Sequence, residues 1–273
     1  MSLPERAIPD SLLEGCHAIV PFIATPYGYT PSLPAGIVFS VFFLAFTALN
    51  LFRSIRYRAW PSYMLTICAI GELIGWIGRT WSSRCPYNSQ AFPTQEISLV
   101  ISPVFLAATL YLDLGIFIKL VGDEFSLIKP EWYMRIFLSS DIISLLVQAA
   151  GAGIATSEIN SEGGNASTGV HIVVGGLAFQ CASMTAFIVC FAHFIHSRSR
   201  CVPRNDAMVA TTAVAVMAVY VRCIYRTVQL AQGFGGYLSV HEGYFIALDA
   251  VMIVIAFTGF LLYDPVKLEG VTH

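Results

Sequence analysis

Charged side chains are scarce in this sequence. Asp, Glu, Lys and Arg make up 12% of it, against about 25% in a typical soluble domain. Apolar residues make up 56% and the mean hydropathy is +0.69, so the composition excludes an ordinary soluble fold. No basic block suggests nucleic-acid binding, and the net charge of −2 points to no class of partner. What remains is a series of long apolar runs, which indicate a polytopic membrane protein.

Motifs for ATP, metal and nucleophilic chemistry are also missing. The sequence contains no GxxxxGKS/T, no HxxxH or HExxH spacing and no GxSxG, and its seven cysteines form no CxxC pair. An intramembrane hydrolase built from Glu72, His171, His241 and Glu242 is the enzymatic alternative, and the missing metal motifs argue against it. We therefore expect a protein that is not an enzyme and that binds no metal or cofactor.

Seven apolar segments are each close to the ~20 residues that a ~30 Å hydrocarbon core requires. They predict helices at about 34–52, 61–81, 97–120, 134–155, 169–195, 207–229 and 243–263. Because the joining loops are short, we predict an all-α membrane protein with one seven-helix transmembrane bundle at 34–263. An N-terminal arm at 1–33 precedes the bundle and a tail at 264–273 follows it.

The orientation follows from the basic residues, which are concentrated in alternate loops. These residues are Arg53, Arg56, Arg58, Lys119, Lys129, Arg135, Arg198, Arg200, Arg204 and, in the tail, Lys267. The positive-inside rule then predicts an external N-terminus and a cytosolic C-terminus. The sequon at Asn165 falls in a loop predicted to be external, which agrees with glycosylation there. Cys16 and Cys85 are also predicted to be external, which allows a disulfide between them without requiring one.

The sixth predicted helix carries Arg222, Arg226 and Gln229 at i, i+4 and i+7, so these side chains share one face. A charge at membrane depth costs roughly 2.5–3.5 kcal/mol on insertion scales, so the two arginines need carboxylates or polar ligands from neighbouring helices. Helices 2, 4 and 6 run outward in the predicted topology, which sorts the candidates by depth. The outer half also holds Glu72, Arg79, His171, His241, Glu242 and Asp249, with Trp76 between Glu72 and Arg79. Further candidates for the site are Gln148, Gln180 and Tyr225.

Two interpretations of this cluster remain open. Three carboxylates and three guanidiniums are close to charge balance, so the charges could pair only to fix the register of the helices. We favour a functional interpretation, in which they line a hydrated cavity that is open to the outer leaflet and holds a polar headgroup. In this interpretation Arg226 and Glu242 belong to one ligand-holding network. Asp113 and Asp141 lie in the inner half, where burial keeps them neutral unless they extend inward, and a neutral carboxyl is a candidate proton carrier.

These motifs, in this order, resemble the RTA-like family of fungal seven-helix membrane proteins, which are described as lipid-translocating exporters. The resemblance spans roughly Pro34 to Pro265. It rests on Glu72-x-x-Gly75-Trp76-x-x-Arg79, Asp141-x-x-Ser144-x-x-x-Gln148-x-x-Gly151, Gly176-Leu177-x-x-Gln180, and Arg222-x-x-Tyr225-Arg226 followed by Gly233, Gly236, His241-Glu242 and Asp249. The chain departs from the family pattern at Ile116, where an arginine is usual, at Gln229, where a glutamate is common, and at Asp264-Pro265-Val266, where the family closes with His-Pro-Gly.

The resemblance implies a plasma-membrane protein that moves amphiphiles such as sphingoid bases, or confers resistance to them. Members have also been linked to sterol-like toxins and porphyrins. We therefore expect binding and translocation or export of an amphiphilic lipid, with a seven-helix lipid or stress sensor as the alternative. The expected partner is a membrane lipid or amphiphilic small molecule rather than nucleic acid, and a homo-oligomer is compatible with this interpretation.

Overall fold

A computed structural model describes residues 16, 25, 27–58, 60–160, 167–198, 206–233 and 236–262 of the chain. Seven helices in these ranges are long and apolar enough to cross a membrane. They are α1 Leu33–Tyr57, α2 Trp60–Arg84, α3 Ala91–Val121, α4 Pro130–Asn160, α5 Ser167–Arg198, α6 Asp206–Ala231, and α7, which comprises Glu242–Phe245, the π-helical turn Ile246–Ala250 and Val251–Leu262. The predicted all-α class and the seven spans are confirmed.

The helix ends follow from local sequence. Proline in the first turn of α1 suits a position where a backbone N–H would have no helical acceptor. Arg58 ends α1 in the left-handed conformation and donates its N–H to the carbonyl of Ser54 at 3.0 Å. Gly122 ends α3 at a positive φ of 128°, which only glycine adopts readily. These residues end α1 and α3 where the short connections to the next helices begin. Consecutive helices run antiparallel.

The helices form a closed bundle in which chain neighbours pack together. Contacts join α1 to α2, α2 to α3, α3 to α4, α4 to α5, α5 to α6 and α6 to α7, and α3 also contacts α6. The predicted neighbourhood of the sixth and seventh helices is thus confirmed. Of the apolar window of α3, 67% is buried, against 22% of that of α1, so α3 is the central helix. Large apolar side chains such as Val38, Leu146 and Val189 face outward, as lipid contact requires.

Glycines on α2 bring α3 unusually close. A Cβ atom on Gly75 would lie 2.6 Å from Cδ2 of Leu99, and one on Gly78 would lie 3.1 Å from the backbone nitrogen of Gln95. Without side chains at these positions the two backbones can approach each other, as in other membrane helix pairs. The first turns of α3 are therefore held against the last turns of α2.

The two ends of the bundle differ in chemistry. Cys16 and Cys85 form a disulfide at the end where α2 finishes and α3 begins, which we call the disulfide end. The sequence left this pairing open, and the structure makes it. The opposite end, the basic end, carries Arg53, Arg56 and Lys119 among others. The sequon at Asn165 and the tail that follows α7 lie outside the described residues.

Candidate functional site

Two buried arginines on α6 converge on one carboxylate of α7. Oδ1 of Asp249 lies 2.8 Å from Nε of Arg226 and 3.0 Å from Nε of Arg222, and Oδ2 accepts from Nη2 of Arg226 at 3.2 Å. All three side chains are buried. Asp249 lies in the π-helical turn of α7, an irregularity that is frequent at functional sites. The predicted stripe on the sixth helix therefore faces the bundle interior, and its carboxylate comes from the adjacent helix.

A second carboxylate, Glu96 of α3, was not among the predicted site residues. Its Oε2 lies 3.1 Å from Nη1 of Arg226, and its Oε1 accepts from Nε2 of Gln95 at 3.2 Å. The apolar run predicts a helix from about residue 97, whereas α3 begins at Ala91, so the prediction leaves Gln95 and Glu96 in a loop. The available signal was a glutamate directly before an apolar run. With Glu96 included, the cluster holds one more carboxylate than guanidiniums.

Arg79 of α2 forms the other half of the cluster. Its Nη2 donates to Oε1 of Glu242 at 2.8 Å and to the hydroxyl of Tyr29 at 2.8 Å, and its Nη1 lies 3.4 Å from Oε1 of Gln95. Gln95 thus contacts both Arg79 and Glu96 and connects the two halves. We call the set Arg79, Glu96, Arg222, Arg226, Glu242 and Asp249 the charged network. Arg226 and Glu242 belong to it without touching each other.

An aromatic side chain lies between the two halves of the charged network. The guanidinium carbon of Arg79 is 4.5 Å from the ring centroid of Phe245, and that of Arg226 is 5.2 Å from the same centroid. Both distances are within the range of a cation–π interaction. Trp76 is fully buried beside Phe245, with ring centroids 5.9 Å apart. The aromatic rings therefore stabilise two like charges that approach the same region.

Arg222 also has a structural contact that follows from a proline in α3. Pro103 lies inside this helix and has no N–H to donate, so the carbonyl of Leu99, four residues earlier, lacks its helical donor. Nη2 of Arg222 donates to that carbonyl. The proline and the arginine are thus complementary parts of one contact between α3 and α6, which fixes Arg222 beside the centre of the bundle.

Polar residues of α4 and α5 continue from the charged network toward the basic end. Nε2 of Gln148 donates to Oγ of Ser144 at 2.8 Å and to Oε1 of Gln180 at 3.2 Å. Further along α4, Oδ2 of Asp141 accepts from the hydroxyl of Tyr111 at 2.9 Å. These contacts bring Gln148, Gln180 and Asp141, all predicted candidates, to one internal surface.

A narrow cavity lies between α3, α4, α5 and α6 and joins these groups. Its volume is about 40 Å³, enough for a few water molecules and far below the 300 Å³ or more of a typical ligand pocket. Its polar lining consists of Asp141, Gln148, Gln180, Arg222 and Arg226, and its apolar lining includes Val100, Leu177, Met184, Val219 and Leu230. The cavity lining therefore combines the polar and the apolar surface that an amphiphile requires, in a volume too small for a whole lipid.

The other predicted site residues lie outside the charged network. Glu72 is buried within electrostatic range of Arg222 and Asp249. Within the part of the chain that the structure describes, Oε1 of Glu72, the hydroxyl of Tyr225 and Oε1 of Gln229 are buried without a hydrogen-bond partner. Asp113 is buried on α3. The structure brings neither His171 nor His241 into the charged network.

The two histidines are exposed and contact their own surroundings. The ring of His171 contacts the carbonyl of Ser167 on the same helix, and His241 packs against Tyr237 and Tyr244. Among the described residues no group of three or more His, Cys, Asp or Glu side chains could hold a metal ion.

Residues 25 and 27–32, the part of the predicted N-terminal arm that directly precedes α1, lie across the charged network at the disulfide end. From here on, the arm means these residues alone. The hydroxyl of Tyr27 is 2.9 Å from both Oγ of Ser82 and Oε1 of Gln95, and the backbone N–H of Ser32 donates to Oε1 of Glu242 at 2.9 Å. Burial raises the pKa of Tyr29 above its ordinary value, although Arg79 opposes this effect. Tyr29 is therefore a neutral phenol at physiological pH, and its contact with Arg79 is not an ion pair.

Seven apolar helices around buried ion pairs define a multi-pass membrane protein, and the candidate site lies inside the bundle. The family described as RTA1 like protein matches residues 65–270, which include the whole charged network, and the chain belongs to this family. The predicted RTA-like family membership is thus confirmed.

Three relatives from Saccharomyces cerevisiae illustrate the range of the similarity. The chain is 31% identical to the sphingoid long-chain base transporter RSB1, over 87% of this chain and 72% of that protein. It is 27% identical to protoporphyrin uptake protein 1, over 85% of this chain and 90% of that protein. It is 26% identical to protein RTM1, over 71% of this chain and 63% of that protein. No solved structure matches the chain.

Proposed function

We propose that this protein binds an amphiphilic lipid, of the sphingoid-base or sterol-like type, and promotes its translocation or export across the membrane. The observation that carries the proposal is the cavity between α3, α4, α5 and α6. Its lining combines two buried guanidiniums, a carboxyl and two amides with a larger apolar wall. An amphiphile needs both surfaces, a polar one for its headgroup and an apolar one for its chain.

Buried polar atoms without a hydrogen-bond partner, on residues of α2 and α6 outside the cavity lining, support binding rather than a purely structural network. Buried polar groups are normally hydrogen-bonded, and each exception calls for an explanation. Three such atoms, on Glu72, Tyr225 and Gln229, have no hydrogen-bond partner among the described residues. A ligand headgroup with hydroxyl or amino groups, or water that it displaces, would satisfy them. Helix register alone does not explain buried polar atoms that lack a hydrogen-bond partner.

Similarity to the named relatives supports the transport part of the proposal. One of them is called a sphingoid long-chain base transporter and another a protoporphyrin uptake protein, so both names refer to movement of an amphiphile. The cavity is too small for such a molecule in the state described. Transport therefore requires α3–α6 to separate. Separation would open a path along the polar lining of the cavity, from Arg226 to Asp141.

We further propose a plasma-membrane location with the disulfide end outside. Disulfides persist in oxidising compartments, so the Cys16–Cys85 bond favours this orientation. It agrees with the positive-inside rule applied to the basic end. In this orientation the charged network lies in the outer half of the membrane and Asp141 lies deeper.

The test is flux of a fluorescent sphingoid base in proteoliposomes, measured by quenching of the probe in the outer leaflet. We expect purified protein to accelerate movement of the probe over protein-free vesicles. Ala107→Leu adds bulk to the wall of the cavity and should slow this flux, whereas Ala152→Leu makes the same change on an exposed face of α4 and should not. Equal flux in the two variants would contradict a route through the cavity.

The same vesicles distinguish a transporter from a sensor. A sensor of the seven-helix type binds lipid without moving it, so the wild-type protein would bind the probe with no flux above protein-free vesicles. That result would overturn the transport proposal and leave binding in place. Absence of both binding and flux for amphiphilic probes of both lipid types would overturn the proposed function as a whole.

A further inference from the structure

The arm covers the ion pair between Arg79 and Glu242 in the charged network. In this ion pair the side chain of Glu242 is 20% exposed and that of Arg79 is 1% exposed, whereas Asp249 and Arg226 are 2% and 4% exposed. Glu96, at 28%, is the one member of the charged network that is more exposed than Glu242, and it contacts Arg226 rather than the arm. Tyr29 accepts a hydrogen bond from Arg79, and the N–H of Ser32 donates to the same oxygen of Glu242 that binds Arg79. The arm thus offers an acceptor to the cation and a donor to the anion.

Those two contacts have the chemistry of a polar headgroup. A ligand with a hydroxyl and an amine or amide presents the same acceptor and donor, so it competes with the arm for the same atoms. Because Tyr29 is a neutral phenol, its contact with Arg79 can exchange without separating charges. The arm also packs between two other parts of the chain. Tyr27 packs edge-on against Phe92 of α3, with ring centroids 4.9 Å apart, and Gly28 lies beside Val240, just before α7.

We propose that the arm is a lid on the charged network, closed by Tyr29 and Ser32 on Arg79 and Glu242 and tethered to the bundle by the Cys16–Cys85 disulfide. Entry of a headgroup from the outer side displaces both contacts and lifts the arm, and the disulfide limits how far it moves. The identity of the entering molecule rests on the proposed function, whereas the closure itself does not. The lid thus regulates access without being part of the translocation path.

Two single substitutions remove one contact each. Tyr29→Phe deletes the hydroxyl that accepts from Arg79 and keeps the ring. Ser32→Pro deletes the N–H that donates to Glu242, and the φ of Ser32 is −67°, which proline adopts without strain. Tyr237→Phe is the matched control, because Tyr237 is 59% exposed at the same end of the bundle and packs against His241 and Tyr244 rather than the arm.

The first measurement is hydrogen–deuterium exchange of arm amides in the purified full-length protein, with no ligand present. A hydrogen bond to a charged group is worth enough that its loss raises the population of the open arm about tenfold or more. We expect this acceleration in Tyr29→Phe and Ser32→Pro and none in Tyr237→Phe. Unchanged exchange in both arm variants would overturn the lid, whatever the protein transports.

The second measurement is binding of the fluorescent sphingoid base to the same variants. A lid that competes with the headgroup predicts about tenfold tighter apparent binding when either contact is removed, and faster arm exchange when the probe is bound. Weaker binding in Tyr29→Phe together with slower exchange on probe binding would make the arm a wall of the binding site and contradict the lid. Accelerated exchange in the arm variants with no probe binding to any protein would leave the lid standing and overturn the proposed function.

The Cys16–Cys85 disulfide can be removed independently of the two arm contacts. Cys16→Ser removes the disulfide at a position that is exposed and outside the charged network. We expect it to accelerate arm exchange as Tyr29→Phe does, and the double variant to exchange faster than either single one. If exchange in Cys16→Ser matched that of the wild-type protein under the same conditions, the disulfide would have no part in closure and the tether would be excluded.

Discussion

Among individual residues, Arg226 is the arginine of the charged network that pairs with two carboxylates. It forms a two-point contact with Asp249, an ion pair with Glu96 and a cation–π contact with Phe245. A guanidinium can hold a carboxylate through two parallel hydrogen bonds, which an ammonium cannot reproduce. Arg226 is therefore the residue at which a structural and a ligand-binding role can be separated most clearly.

We expect Arg226→Ala to lose binding of the sphingoid-base probe while the protein still folds. Removing one member of a buried ion pair costs about 3–5 kcal/mol, and the lower end applies here because Arg222 still pairs with Asp249. Arg226→Lys should restore part of the binding. Thermal unfolding and probe affinity measured on the same preparations test both points, with Arg135→Ala, an exposed arginine at the basic end, as the control. Unchanged affinity in a folded Arg226→Ala protein would remove Arg226 from the ligand site.

Asp141 differs from the charged network because its observed hydrogen bond comes from a neutral group, the hydroxyl of Tyr111. It lines the cavity, whereas Asp113 is not among the lining residues. We expect Asp141→Asn to fold, since the amide oxygen can still accept from Tyr111, and to change the pH dependence of flux if Asp141 carries a proton. Asp113→Asn is the comparison and should keep the wild-type profile. A wild-type pH profile in folded Asp141→Asn would exclude the proton-carrier role.

The sequence identified most of the charged network because charges inside apolar runs are conspicuous and must find partners. Arg79, Arg222, Arg226 and Asp249 meet this description, and Glu242, which directly precedes the seventh predicted segment, is part of the His241-Glu242 motif. Glu96 and Gln95 were missed because they come before the apolar run of α3, where composition alone cannot separate a helix from a loop. Which arginine binds which carboxylate was also beyond the sequence, because it depends on the rotation of α7 at its π-helical turn.

At the scale of helices, the contact between α2 and α3 determines whether Gln95 and Glu96 can reach the arginines. Gly75 and Gly78 allow that contact because they have no side chains between the backbone of α2 and the facing residues of α3. The family motif around Glu72 and Arg79 therefore contains two kinds of residue. The charged ones form the site, and the glycines keep the neighbouring helix close enough to complete it.

Gly78→Ala should separate α2 from α3. Its new methyl group would meet backbone atoms of Gln95 and Ala91 at 3.1 and 3.2 Å, and backbone cannot move aside as a flexible side chain can. Overpacking of this kind costs about 1–3 kcal/mol. Gly153→Ala is the matched control, because a Cβ there meets nothing within 4 Å, and alanine in a helix is favoured over glycine by about 0.5–1 kcal/mol. Thermal unfolding of both variants in the same detergent tests the contrast, and equal shifts would contradict it.

The helices themselves were predictable, since a span of apolar residues must form its hydrogen bonds internally in lipid. Their ends were less so: α3, α4 and α5 extend several residues beyond the predicted segments into polar sequence. The arm gave no signal of its role, because Tyr29 and Ser32 are ordinary loop residues until the fold places Arg79 and Glu242 beside them.

At the scale of the whole molecule, the first prediction to test is which side of the membrane each end of the bundle faces. We expect a tag placed after His273 to be protected from protease in intact cells, because the basic end faces the cytosol under the positive-inside rule. Asn165 should carry a glycan that disappears in Asn165→Gln. Cleavage of the tag in intact cells would reverse the orientation, and with it the assignment of the charged network to the outer half.

Three of the four helices around the cavity are longer than the others, whereas the fourth, α6, contains 26 residues. α3, α4 and α5 contain 31, 31 and 32 residues, whereas α1 and α2 contain 25 each. At 1.5 Å per residue this is roughly 46–48 Å against 37 Å, and a hydrocarbon core is only ~30 Å thick. The cavity side of the bundle must therefore tilt, project from the bilayer or thicken it locally, and the degree of mismatch changes with acyl-chain length. We expect the proposed separation of α3–α6 to change that tilt, so the thickness of the host membrane should shift the balance between the small cavity and an opened one.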